Sequence, residues 1–144
     1  MKKLFYFFLL FLLFTSKVSS HDAPKTSKEK LEYINNHLQI FEIEAKTIET
    51  SYEGVKPGVK FAIKNNGNES LTKVKITIYF LDKNDNTFYE KSSLPVWSEY
   101  GEMKILKPNY TFRMSKNSYL TFDNLGDEWT EKVIIKITEI EFAE

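Results

Sequence analysis

The stretch VKFAIKNNGNESLTKVKITIYFLDKNDN, residues 59–86, decides the architecture. Val59, Phe61 and Ile63 alternate with Lys60, Ala62 and Lys64, and Val74, Ile76, Ile78 and Phe80 alternate with Lys73, Lys75, Thr77 and Tyr79. Successive side chains of a strand point to opposite faces, so a period of two marks two strands with one buried and one wet face each. Between them, Asn65-Asn66-Gly67-Asn68 is a turn, because Asn and Gly tolerate positive φ. The cluster Asp82–Asn86 is a second turn, with Phe88 beyond it on the return strand of a hairpin.

The same period extends outward. Phe41, Ile43 and Ala45 alternate with Glu42, Glu44 and Lys46 on a strand that starts at Gln39. Tyr110, Phe112 and Met114 resume the alternation, and Val133, Ile135 and Ile137 open the last strand. There the apolar phase slips to Ile140 and Phe142, which predicts a β-bulge near Thr138–Glu139, since one extra residue re-aims those that follow. A similar slip between Ala45 and Ile48 predicts another in the first strand. Ser93–Pro108 loses the alternation, contains Pro95, Gly101 and Pro108, and reads as a long connection. Ahead of the strands, Thr26 and Glu29 have capping-box spacing. Leu31, Ile34 and Leu38 form a narrow helical stripe, so a short helix is expected over 27–36.

Six or seven short strands, frequent turns and almost no helix predict an all-β antiparallel sandwich of immunoglobulin-like type, preceded by a short N-terminal helix. The expected organisation is a signal peptide over 1–20, a linker and helix over 21–38, and the sandwich over 39–144.

The signal-peptide reading rests on Lys2 and Lys3, the unbroken apolar run Leu4–Phe14, and Val18 and Ser20 at the −3 and −1 positions of a cleavage site. As a helix that run reaches only about 16 Å against a hydrocarbon core of about 30 Å, so no stable membrane span is expected after cleavage. The expected localisation is periplasmic or extracellular. The chain has no cysteine, which excludes disulfides and lipid attachment through a cysteine at the mature N-terminus. Its first twenty residues hold three of the twenty basic residues and none of the twenty acidic ones, leaving a mature net charge of −3. Nucleic acid is therefore not an expected partner.

Residues 59–86 also resemble the FxLYD-type immunoglobulin-like modules of bacterial envelope proteins. Those pair a strand ending in an Asn-rich turn with a strand ending in an aromatic-x-Leu-Tyr-Asp element. The matching segment is Ile78-Tyr79-Phe80-Leu81-Asp82, where Ile78, Phe80 and Leu81 stand for the family's Phe, Leu and Tyr, and Asp85 occupies a turn position where Gly is usual. The resemblance covers about 30 residues. It implies an extracytoplasmic module with no catalytic residues, and it supplies no site residues.

No catalytic set emerges from the residues themselves. His21 and His37 both lie in the polar N-terminal segment, away from any Ser–Asp pair. Asp82, Asn84 and Asn86 have the spacing that opens a calcium loop, but Thr87 and Ser93 stand where Gly and Glu are required. Glu99, Glu102, Asp123, Asp127 and Glu128 read as solvated loop acids. Neither a metal site nor a cofactor is expected, and the chain is read as a non-enzyme. The aromatic residues at strand ends are better candidates, because Trp and Tyr are enriched in binding hot spots. Trp97, Tyr100, Tyr110 and Tyr119 are the expected binding residues, whereas Trp129, which leads into the last strand, is expected to close the core. The Phe-, Ile-, Lys- and Asn-rich composition fits a bacterium. The functional expectation is an exported accessory module contacting a protein partner in the envelope; the alternative is a small carbohydrate- or metal-binding protein.

N-terminal sequencing of the mature protein is expected to start at His21. A start at Met1 would instead leave an uncleaved apolar segment holding the domain at the membrane.

Overall fold

Strands β2 (Gly54–Asn65) and β3 (Leu71–Leu81) are the centres of two separate sheets, so the turn between them carries the chain from one layer to the other. The computed structural model describes residues 25–98, 105–123 and 125–144. The signal-peptide expectation, His21, Glu99, Tyr100 and Glu102 lie outside these residues. In the first sheet, β2 pairs antiparallel with β1 (Leu38–Thr50) on one side. On the other it pairs with the short strands β5 (Thr111–Arg113) and β6 (Leu120–Thr121). In the second, β3 lies between β4 (Thr87–Trp97) and β7 (Val133–Phe142), antiparallel to both. The expected all-β antiparallel sandwich is present, and the core is the alternating set read from residues 59–80. Val59, Ile63, Val74, Ile76, Ile78 and Phe80 are fully buried. Trp129 packs edge-on against Phe80, 5.8 Å between ring centroids, beside Tyr89 and Phe122.

Helix α1 (Ser27–His37) starts at the expected capping box. Thr26 Oγ1 accepts from the Glu29 amide, and Glu29 Oε2 accepts from the Thr26 amide at 2.6 Å. Ile34 and Leu38 of the expected stripe pack against the core, but its third member does not. Leu31 is exposed and Tyr33 is buried, because the Tyr33 phenol enters the crossing turn between the sheets. There its hydroxyl donates to Asn65 Oδ1 (2.9 Å) and accepts from the Glu69 amide (3.1 Å). Asn65 is fully buried, and every polar atom it carries is used. Oδ1 also accepts from the Gly67 amide, while Nδ2 donates to the carbonyls of Glu69 and Leu106. Its backbone N–H donates to the Tyr110 carbonyl and its carbonyl accepts from Asn109. Gly67 is required by this packing, since a Cβ there would fall inside the Tyr33 phenol.

Of three finer expectations, one holds and two change. The bulge in β7 lies where the phase slip put it: Lys75 pairs with Glu139 and Ile76 with Ile137, leaving Thr138 as the extra residue. The bulge in β1 lies earlier than the slip suggested, between Phe41 and Glu44, with Glu42 at φ +52°. Ile43 is therefore exposed, and Leu38, Ile40 and Ala45 face the core in place of the Phe41–Ile43–Ala45 row. Finally, the expected long connection begins later than Ser93, because β4 continues to Trp97. Pro95 is accommodated there since β4 is an edge strand with a bulge at Leu94–Pro95, where no ladder hydrogen bond needs its missing N–H.

Replacing Asn65 by Ala orphans the Gly67 amide and takes one bond each from the Tyr33 hydroxyl and the Glu69 and Leu106 carbonyls, and is expected to cost about 3 kcal/mol, lowering the melting temperature by roughly 10 °C. Gly67→Ala is expected to be strongly destabilising in the native protein and much less so in a Tyr33→Ala background. Equal costs in both backgrounds would show that the phenol is not what excludes the methyl group.

Candidate functional site

The fold disperses the expected binding aromatics over different surfaces. Trp97 ends β4 opposite Lys73 and lies on the outer face of the second sheet, 41 % exposed, with the Lys73 ammonium 5.4 Å from its ring centroid. Tyr110 precedes β5 beside the Asn65 turn and is 63 % exposed. Tyr119 lies on the outer face of the first sheet and is already engaged. Its hydroxyl donates to Glu44 Oε1 (2.8 Å), and Lys46, itself paired with Glu44 at 2.8 Å, sits 4.7 Å above its ring.

Tyr119 belongs to a clasp. Strands β5 and β6 hold only five residues of β2 between them, a weak anchorage for that edge. Side chains reinforce it across β2: Arg113 reaches over Ala62 to the Glu42 carboxylate and the Phe41 ring, and Tyr119 reaches over to Glu44 and Lys46. Lys60 Nζ donates to the Lys116 carbonyl in the intervening loop. The β1 bulge turns Glu42 toward Arg113, so the irregularity of β1 and the shortness of β5 form one arrangement.

Between the β4 and β5 edges, the layers part into a groove of about 310 Å³, where Phe61, Leu94, Phe112 and Leu120 alternate with the hydroxyls of Ser93 and Ser118. Leu94 stands at its rim, 44 % exposed. Among the described lining residues Arg113 is the one titratable side chain, and the groove offers shape, apolar contact and serine hydroxyls.

The long edge strands of the two sheets are poor templates for another strand. On β4, Lys91 lies opposite Ile78 and is exposed, setting a charge on the edge, and the bulge with Pro95 interrupts the ladder farther along. On β1, Glu131 Oε1 accepts from the Thr47 amide at 2.7 Å, and on β7 the Thr138 bulge breaks the register. Edge charges, bulges and proline are the devices that keep sheet edges from pairing with other chains.

The remaining candidates resolve simply. Asp82 Oδ1 accepts from the amides of Asn84 and Asn86 (2.8 and 2.9 Å), and Asp85 takes φ +62°, so the calcium-like spacing is a self-bonded turn. Among the described residues no group of three or more His, Asp or Glu is placed to hold a metal. No described helix is long and apolar enough to cross a membrane. His37 packs its ring on Tyr33 at 4.8 Å. No protein-family model, curated protein or solved structure matches this chain.

The second sheet's outer face is more heavily furnished. Lys73 Nζ bonds Glu139 Oε1 at 2.6 Å and Glu141 Oε1 at 3.1 Å beside the Trp97 indole. The Lys73 hydrogen bond holds the Glu139 carboxyl below its ordinary range, and the two carboxylates raise Lys73. Backbone amides do the same for other acids: Thr26 lowers Glu29, Asn86 lowers Asp82 and Thr47 lowers Glu131, while the Lys46 ammonium lowers Glu44.

Each of these five carboxyls titrates lower in the folded than in the unfolded chain. Their stabilisation is complete above the unfolded values, 3.8 for Asp and 4.5 for Glu, and is lost as pH falls through the folded ones. The melting temperature is accordingly expected to hold between pH 6 and 8 and to fall progressively below about pH 4.5. Glu131→Gln and Glu139→Gln are each expected to flatten that acid limb, as read by thermal melts across pH.

Proposed function

We propose that this protein is an exported, non-enzymatic binding module of the bacterial envelope that contacts a protein partner through the groove between β4 and β5. The observation that carries the reading is the groove itself: a concavity of mixed apolar and hydroxyl lining with Leu94 exposed at its rim, beside a β4 edge whose bulge and proline oppose strand addition. A partner therefore docks by inserting an apolar side chain, in the manner of a hot-spot anchor, with Tyr110 on the chain leading into β5 as a flanking contact. The signal-like N-terminus supports export with cleavage near Ser20, and the FxLYD-type resemblance of residues 59–86 supports an extracytoplasmic, immunoglobulin-like module.

In-cell crosslinking of a C-terminally tagged copy, followed by envelope purification and mass spectrometry, is expected to recover one dominant protein partner. Leu94→Asp and Tyr110→Ala change exposed residues and are expected to abolish or sharply reduce that crosslink while leaving the melting temperature within about 2 °C. A partner retained in full by the double variant would remove the groove from the interface, and the absence of any partner would end the accessory-module reading.

A further inference from the structure

Strand β3 is flanked at one level by two bulges. In β4, Leu94–Pro95 hold the extra residue between the partners of Val74 and Ile76; in β7, Thr138 is extra between the partners of Lys75 and Ile76. Both ladders are thus broken beside Lys75. A bulge leaves a residue outside the ladder and re-aims the side chains beyond it, which is why bulges accompany functional sites. Here the effect is specific. Toward the far end of β4, the shift turns Val96 into the core and Trp97 outward; toward the end of β7, it turns Ile140 inward and Glu139 and Glu141 outward. Two slips of register bring an indole from one strand and two carboxylates from another to the same lysine of β3, Lys73.

The resulting surface has a definite chemistry. Trp97 offers a ring face, 41 % exposed. Glu139 and Glu141 are each nearly half exposed, and only one oxygen of Glu141 is tied to Lys73. Lys75 is 39 % exposed and lies 3.8 Å from Glu139. A row of hydroxyls crosses the sheet just beyond, Ser92 Oγ to Thr77 Oγ1 at 3.1 Å and Thr77 Oγ1 to Thr138 Oγ1 at 3.5 Å. Six residues along β3 from Lys73, about 20 Å at roughly 3.3 Å per residue, Tyr79 repeats the aromatic element with Lys136 5.5 Å from its ring centroid. Lysines 73, 75 and 136 are set against Glu90, Glu139 and Glu141 on this face, with Lys30 of α1 close enough to lower Glu139, so the surface carries too little net charge to collect a polyanion or a polycation.

We infer that the outer face of the β4-β3-β7 sheet, centred on Trp97, Lys73, Lys75, Glu139 and Glu141, binds a neutral polysaccharide chain. A sugar ring presents an apolar C–H face to an indole and a rim of hydroxyls that both donate and accept, which is the pattern this face complements with carboxylates, ammonium groups and hydroxyls. The face is open and three strands wide, and its second aromatic is two tens of ångströms away, so it suits a chain lying across the sheet rather than a single sugar. A peptide side chain would seek a concavity to fill, and that lies at the groove instead. This inference concerns a different surface from the protein-partner groove and does not rest on that reading.

Native gel electrophoresis of the purified protein through gels cast with laminarin, mannan, dextran or hydroxyethylcellulose tests it. At least one polysaccharide is expected to retard the protein. Trp97→Ala and Lys75→Ala are each expected to weaken the apparent affinity about tenfold, the scale of one lost contact, with Trp97→Phe close to the native protein and Tyr110→Ala unchanged. Thermal melts check that each variant is folded; should Trp97→Ala melt early, Lys75→Ala, on an exposed side chain outside the Lys73 hydrogen bonds, carries the test alone. No retardation in any of the four gels overturns the inference, as does retardation that Lys75→Ala and the folded Trp97 variants leave at the native value.

Discussion

The buried amide of Asn65 is the constraint from which the rest of the structure hangs. It ends β2 at the point where the chain leaves one sheet for the other, and it bonds four separate pieces of chain: α1 through Tyr33, the crossing turn at Gly67 and Glu69, the segment at Leu106, and the approach to β5 at Asn109 and Tyr110. A buried amide without partners costs several kcal/mol in an apolar setting, so this position is tolerated only because all of its bonds are made at once. The same bonds fix where the later segments lie. The bridge between Leu106 and Leu71 and the start of β5 at Thr111 are both set within a few residues of Asn65 contacts.

From that fixed end, the first sheet weakens along its length. β1 and β2 pair over nearly their whole extent, whereas the third position is filled by two fragments of three and two residues. Backbone pairing alone would hold such fragments poorly, and the Arg113 and Tyr119 clasps onto β1 make up the difference. The second sheet is the opposite case, with three long strands paired along most of their length across four register shifts, and it carries the aromatic centre of the core at Phe80. A layer that is fully paired can accept two bulges at one level, and a layer with a broken edge can open a groove.

The period of two made the strands and the core legible, because burial on one face is a local property of alternate residues. Phe61, Ile63, Ile76, Ile78 and Phe80 needed no knowledge of their partners. What failed was what depends on partners. Ser92 to Pro95 carries neither alternation nor β-branched residues, yet it is a strand, because β3 offers a ladder and an edge tolerates proline. Leu31 completed a plausible helical stripe, but the helix is oriented by a single phenol entering a turn 32 residues away. Tyr119 looked like a free loop aromatic because nothing in its neighbourhood indicates that Glu44 and Lys46, 75 and 73 residues earlier, stand opposite it. The slip in the last strand was readable since it changes the phase of an apolar row; its counterpart in β4 was not, because Ser92 and Ser93 have no apolar phase to shift. The candidate site on the second sheet was therefore half visible: Trp97 was singled out, while Lys73, Glu139 and Glu141 looked like the ordinary wet face of two strands.

Two explanations compete for the paired bulges. β4 and β7 are both edge strands of a three-stranded sheet, and bulges protect edges from pairing with other chains. Protection, however, works at any point along an edge and asks nothing of its opposite number. Lys91 already sets a charge on the β4 edge, and Pro95 would interrupt a ladder there without an added residue. Edge protection therefore accounts for irregular strands but not for two irregularities that meet at the same residue of the strand between them. Nor does it account for their common result, which is to leave the core rows intact on the inside while gathering an indole, two carboxylates and two ammonium groups on the outside. That convergence is what a binding face requires, and it ties a slip in the hydrophobic pattern of the sequence to the chemistry of the surface the slip creates.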